Sequence, residues 1–525
     1  MKNIFKIFII LLTGSLMTAC DDFLEEKPRD EISLGQFFSE PSHAQNAVNS
    51  LYRIGAPMMY GSGGVYQGKR AMYGPYLSGF FDNEYKGQEP YIGHAQQLSF
   101  TSTNIDGFSN GIWSDLYLAI SRANNAIKYI PETPGLAESD ANRLLAEARF
   151  FRAYAYYFLV RLYGEVPLVE EPYESLENIY VAKSPLADVY GLIENDLLFA
   201  VNQGGLSTAS MVNNGYRITK GAAQALLAEV YLTMSGFPLQ SDHYAEAATM
   251  AKAVINSGSY SLTQHDTEAG SIDMENSAYN KIRREEALSN EYIYMVEYLV
   301  GISTTEYPQW SYPVAYAGDV EYSITNGAYQ PVEEFMWGYD ADNDLRAQNK
   351  QFFHTTLNDD EGNVLSTFEP TPYIWHDDQA LFQTATSGKD ALAISYADVL
   401  LIAAEAIAES EGVNAEAAGY LAEVRGRAYW KEDMADIETD LSGLSANDFV
   451  EEVWKERYRE LVFEFPLWFD MIRTRTYPLT SNAGDGEITF VPLVGQENTW
   501  GKTFQEKHLF IPIPQREIQR NPMLQ

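Results

Sequence analysis

Leu144-Leu145-Ala146-Glu147-Ala148-Arg149-Phe150-Phe151-Arg152-Ala153-Tyr154-Ala155-Tyr156-Tyr157-Phe158-Leu159-Val160-Arg161-Leu162 is the stretch whose reading decides the fold of this 525-residue chain. Leu144, Ala148, Phe151, Ala155, Phe158 and Leu162 recur at alternating steps of four and three, which puts them on one face of an α-helix. Ile394, Ala397, Leu401, Ala404 and Ala408 repeat that spacing. Working outward, the start of the stretch has two echoes. Leu226-Leu227-Ala228-Glu229-Val230 and Ile402-Ala403-Ala404-Glu405-Ala406 share the pattern of Leu144-Leu145-Ala146-Glu147-Ala148. Each echo is followed by an Ala-rich helical stretch, Tyr244–Asn256 and Ala415–Arg427. Small residues let paired helices approach closely, as in tetratricopeptide hairpins, and the uneven spacing marks degenerate repeats with insertions. Further helices are predicted over roughly 42–53, 111–130, 186–202 and 447–463. The expected fold is mostly α, a tetratricopeptide-like helix-pair scaffold.

Two stretches break the helical period, 55–110 and 257–390, both rich in Gly, Tyr, Asn, Ser and Pro. Turn residues at Asn358-Asp359-Asp360-Glu361-Gly362-Asn363 predict a small β-hairpin. Long irregular insertions on a regular scaffold are where ligand contacts usually sit.

The N-terminus has the form of an export signal. Lys2 and Lys6 precede Ile7-Phe8-Ile9-Ile10-Leu11-Leu12, and small residues lead to Met17-Thr18-Ala19-Cys20. The apolar run is too short to span a membrane and reads as a signal peptide over residues 1–19. Apolar, small, small, Cys is the pattern of a lipobox. Cys20 is also the single cysteine of the chain, so no disulfide framework competes for it. Lipidation of Cys20 is the expectation, and acyl chains then anchor the protein. The chain carries 73 acidic and 36 basic residues, a net charge of −37. That balance excludes nucleic acid and an anionic lipid surface as electrostatic partners, since both need clustered Lys and Arg.

A set of motifs in fixed order resembles the SusD/RagB family of Bacteroidetes outer-membrane lipoproteins. It opens at Cys20-Asp21-Asp22-Phe23-Leu24 and continues at Trp113-Ser114-Asp115-Leu116-Tyr117 with Ala123-Asn124. The long helix follows and runs into Tyr163-Gly164-Glu165-Val166-Pro167-Leu168. Tyr396-Ala397-Asp398-Val399-Leu400-Leu401, Glu456-Arg457, Trp468-Phe469-Asp470-Met471-Ile472-Arg473 and Ile511-Pro512-Ile513-Pro514-Gln515-Arg516 complete it. Phe465-Pro466-Leu467 departs from the family, which more often has Gly and a basic residue there. The resemblance implies a single domain over 20–525 on the cell surface, lipid-anchored to the outer membrane. It also implies a non-catalytic role: capturing an oligosaccharide, or in some members a peptide, for a SusC-like TonB-dependent transporter.

A sugar site needs aromatic faces for the C–H surfaces of the rings and polar side chains for the hydroxyls. Burying one such face contributes about 1.5–3 kcal/mol. The aromatic residues of the two insertions are therefore the candidate ligand contacts: Tyr73 and Tyr85 in the first, Trp310 and Trp337 in the second. Trp113, Trp454 and Trp468 fall in helical or family-motif segments and are expected in the core. No metal or other cofactor is expected. Asp340, Asp342 and Asp344 alternate like a calcium loop, yet Leu345 and Gln351 stand where an EF-hand needs Gly and Glu, so a surface turn is expected. There is no HExxH pair, GxSxG or phosphate-binding loop, and His376-Asp377-Asp378 stands alone. A surface glycosidase stays open as an alternative, because the separation of two carboxylates is set by the fold.

Overall fold

The computed structural model describes residues 37–61, 69–173, 175, 179–286, 288–358 and 362–525. Cys20, the signal peptide and the opening motif lie outside these residues. The scaffold is built from helices α1 (Pro41–Asn49), α2 (Asp106–Tyr129), α3 (Glu138–Tyr163), α4 (Leu186–Asn202), α5 (Lys220–Ser235), α6 (Tyr244–Ile255), α7 (Tyr396–Glu411), α8 (Ala415–Ala428), α9 (Met434–Ser442), α10 (Ala446–Glu460) and α11 (Leu467–Thr474). Helix α3 packs against α2 and α4, α5 against α6, α6 against α7, and α7 against both α8 and α10. The Ala-rich faces of α5, α6, α7 and α8 are buried, which is what close helix pairing requires.

The stretch that opened the sequence reading is more deeply set than a single apolar stripe predicts. Every residue of α3 from Phe150 to Tyr163 is buried, so this helix is surrounded on all sides. Its charged residues are paired accordingly. Arg152 Nε donates to Asp196 at 2.7 Å, and Glu147 accepts from Arg143 at 2.8 Å and from Arg217. The three echoed glutamates share this role, since Glu229 binds Arg161 at 2.8 Å and Glu405 binds Arg473 at 2.8 Å. Side chains fix several helix starts. Thr219 accepts from Ala222 N at 3.1 Å, Ser395 from Asp398 N at 3.1 Å and Asn414 from Ala417 N at 3.0 Å. Each such cap stabilises its helix by about 1 kcal/mol.

The insertions differ from the sequence expectation in one respect. The first contains three short helices, Ala56–Tyr60, Tyr73–Ser78 and Pro90–Gln96, which are too short to show a period. Pro57 and Pro90 sit in first turns, where no N–H is needed. Helix α9, capped by Asp433, is likewise an element that periodicity did not predict.

The strands include β1 (Phe81–Asp82), β2 (Tyr292–Val296), β3 (Gln330–Pro331), β4 (Phe353–Asn358), β5 (Val364–Pro372) and β6 (Ala391–Ser395), besides two pairs of two-residue strands and a C-terminal hairpin. Every sheet among the described residues has two strands. β4 and β5 form the expected hairpin, although 359–361 at its turn lie outside the described residues. β1 pairs antiparallel with β3, which joins the first insertion to the second. Glu84 reinforces the junction by accepting from Val314 N at 2.8 Å and Gly327 N at 2.7 Å. One large buried cluster runs through scaffold and insertions. A small satellite of Tyr312, Tyr322, Leu357, Ala380 and Leu381 lies within the second insertion.

Candidate functional site

The satellite cluster supports an open cleft of about 600 Å³ in the second insertion. Tyr312, Tyr373 and Phe382 give it aromatic walls, and Leu357 of β4 and Leu365 of β5 add aliphatic surface. Phe382 is 40% exposed and Leu365 63% exposed, so part of this apolar surface faces water. The rings hold one another in place: His354 lies 5.0 Å from both Tyr312 and Tyr373, and Tyr373 lies 4.8 Å from His376. The Arg283 guanidinium sits 4.6 Å from the Tyr373 ring centre, a cation–π contact on the buried side.

Polar groups interrupt these walls. Asp319, Lys350, Asn358, His376, Asp378 and Gln383 line the same cleft. His376 Nε2 lies 2.9 Å from Asp378 Oδ1, and the hydrogen bond from His376 holds the Asp378 carboxyl down at about 2. Burial pushes the His376 imidazole below its ordinary range, against the opposing pull of Asp378. Burial likewise pushes His354 down to about 3. Aromatic faces next to neutral and charged hydrogen-bonding groups are the chemistry that sugar rings require.

The residues expected from sequence are not the ones that line this cleft. Tyr73 is 1% exposed, with its ring 4.8 Å from Phe108 and 6.0 Å from Tyr91. Trp310 is fully buried and packs 5.4 Å from Tyr307 and 5.5 Å from Trp375. Both are core residues, a correction to the ligand-contact expectation. The physical reason is that the two insertions are joined and bury these rings where they close on the scaffold. Tyr85, in the turn after β1, and Trp337, at the end of the short helix Glu333–Met336, are half-buried and do not line the cleft. Trp113 and Trp468 are core, as expected, and Trp454 is partly buried with its indole N–H on Glu405 at 3.0 Å. Asp340 does form a turn, accepting from Asp342 N at 2.9 Å, whereas Asp344 is buried and binds Arg346 at 2.8 Å. No cluster of three His, Cys, Asp or Glu able to hold a metal occurs among the described residues.

Sequence reasoning missed Tyr312, Tyr373, His376 and Phe382. Tyr312 ends the segment Tyr307-Pro308-Gln309-Trp310-Ser311-Tyr312, in which only the last ring lines the cleft.

A second, smaller cavity of about 60 Å³ lies where the insertions meet the scaffold, and Lys69, Lys389, Asp390 and Glu464 are among its lining. The Lys69 ammonium sits 3.9 Å from the Tyr307 ring centre, 5.2 Å from Trp375 and 5.4 Å from Phe465. Burial, then the neighbouring Glu285 carboxylate, push Asp390 up to about 7.

Two family models match the chain: the SusD family over residues 375–525, and a family described as starch-binding and associating with the outer membrane over residues 22–232. SusD-like protein P2 of Formosa agariphila is 28% identical over 499 residues, covering 90% of this chain and 91% of its own. A SusD superfamily crystal structure from Parabacteroides distasonis superposes with a TM-score of 0.79 at 29% identity, covering 92% of this chain and 98% of its own. A further structure, determined with a xylogluco-oligosaccharide, has a TM-score of 0.67 at 19% identity and covers 91% of this chain and 97% of its own. The helix-pair scaffold, the long buried α3 and these agreements over nearly the whole length lead to one conclusion: the chain belongs to the SusD/RagB family.

Proposed function

We propose that this protein is a surface lipoprotein, anchored through Cys20, that captures oligosaccharide and passes it to a TonB-dependent outer-membrane transporter without cleaving it. The observation that carries the reading is the cleft of about 600 Å³ walled by Tyr312, Tyr373 and Phe382, with hydrogen-bonding groups set between the rings. Support also comes from the lipobox-like Met17-Thr18-Ala19-Cys20 and from the outer-membrane, starch-binding description of one matching family. The relative determined with a xylogluco-oligosaccharide has the same fold. No helix among the described residues is long and apolar enough to cross a membrane, so a lipid is the anchor this reading requires. Several stacked rings and hydrogen bonds reach roughly micromolar affinity, about −8 kcal/mol.

The test is a glycan array probed with the full-length chain in detergent, followed by incubation with each bound polysaccharide and an assay for reducing ends. Binding to at least one oligosaccharide class with no new reducing ends is the expected result. Release of reducing ends makes the protein a glycosidase, and binding to peptides with no glycan bound overturns the cargo.

A further inference from the structure

Hydrogen bonding in the cleft is unbalanced in a way that the aromatic walls do not explain. His376 is buried, and its Nε2–H is committed to Asp378. Nδ1 is then left with a lone pair, and no donor reaches it. Asn358, at the end of β4, donates its amide N–H to the Gly362 carbonyl at 2.9 Å, while its Oδ1 is buried without a partner. A buried acceptor that lacks a donor is destabilising, and a ligand that supplies the donor removes that cost. Both residues line the cleft, together with the carboxylates of Asp319 and Asp378 and the ammonium of Lys350.

A ligand must therefore bring donors. A carboxylate or sulfate only accepts. It would satisfy Lys350 and meet acceptors elsewhere, with two carboxylates repelling it. Methyl ethers and acetyl esters also only accept. A free hydroxyl both donates and accepts, so a run of hydroxyls satisfies the acceptors and the ammonium together. Resting on the reading of this cleft as a glycan site, we propose that it selects neutral sugars with free hydroxyls, and that His376 and Asn358 are specificity-determining acceptors for two of the ligand's hydroxyl protons. Burial disfavours the charged imidazole of His376, and with Nε2–H on Asp378 the neutral ring presents Nδ1 as an acceptor. Nδ1 is shielded from solvent in the free chain. Phe382, 40% exposed and with its ring 6.0 Å from the imidazole, borders His376 on the cleft.

Calorimetric titration of the full-length chain in detergent tests this, with malto-, cello-, xylo- and xyloglucan oligosaccharides as probes. The strongest binder is then compared with its O-methylated and its C6-oxidised, uronate-bearing counterparts on the unaltered protein. Both modified forms should bind at least about ten-fold more weakly. His376→Phe should weaken the free sugar roughly ten- to hundred-fold, the loss of one hydrogen bond that leaves a buried hydroxyl unpaired. His376→Asn places an amide near the position of Nδ1 and should recover most of the affinity. Equal binding of the modified sugars, or a folded His376→Phe that binds as the unaltered chain does, overturns the proposal while the glycan reading stands. If no oligosaccharide binds the unaltered chain, the glycan reading falls and this proposal falls with it.

Discussion

Asp390 shows what one carboxyl does when the fold removes it from water. It accepts from Tyr298 N at 2.7 Å, yet burial and the nearby Glu285 push its pKa from 3.8 to about 7. A folded-state pKa above the unfolded one means that this group's contribution is fully present below about pH 4 and is lost as pH rises through about 7. The unaltered chain should therefore lose thermal stability between pH 5 and 8. Asp390→Asn, which keeps the acceptor and removes the titration, should lose less, a difference on the order of a few kcal/mol. Parallel melting curves for the two proteins across that range would refute the assignment. The same scale explains why Trp310 was misread from sequence. Trp310 and Phe382 both sit in aperiodic chain, where no spacing tells an inward ring from an outward one. Only the packing of Trp310 against Tyr307 and Trp375 settles its side.

Elements with a period were legible, and those without one were not. Helix α4 spans Leu186–Asn202, as the apolar spacing predicted, and the hairpin of β4 and β5 falls where Asp and Gly cluster. The short helices of the first insertion were hidden because one or two turns cannot establish a repeat. The junction of the insertions was hidden too, since β1 and β3 are two-residue strands about 250 residues apart in sequence. Glu84 holds that junction through two backbone N–H groups. Glu84→Ala should leave the scaffold folded, cost about 1 kcal/mol, and speed amide exchange at Val314 and Gly327. Unchanged exchange at both sites would mean that β1 and β3 alone secure the junction.

The molecule as a whole is a helical scaffold carrying the cleft on its insertions, and the proposed lipoprotein function puts the whole tether on Cys20. Replacing Cys20 by Ala should release the protein from the membrane fraction without lowering its melting temperature, because Cys20 is the single cysteine of the chain and its loss breaks no disulfide. A Cys20→Ala protein still sedimenting with outer membrane would show that something other than lipid holds it. Many of the arginines are turned inward: Arg152, Arg346, Arg425, Arg427, Arg457 and Arg473 are buried on carboxylate partners. Those pairs cancel locally, so they leave the chain's formal excess of −37 undiminished. Around such a body the field extends about one Debye length, roughly 8 Å at physiological ionic strength. Polyanions arriving from solution are slowed within that shell and are slowed less as salt is added. An uncharged polymer crosses it at a rate that is indifferent to salt, so the composition of the surrounding brine sorts what reaches the cleft before any contact is made.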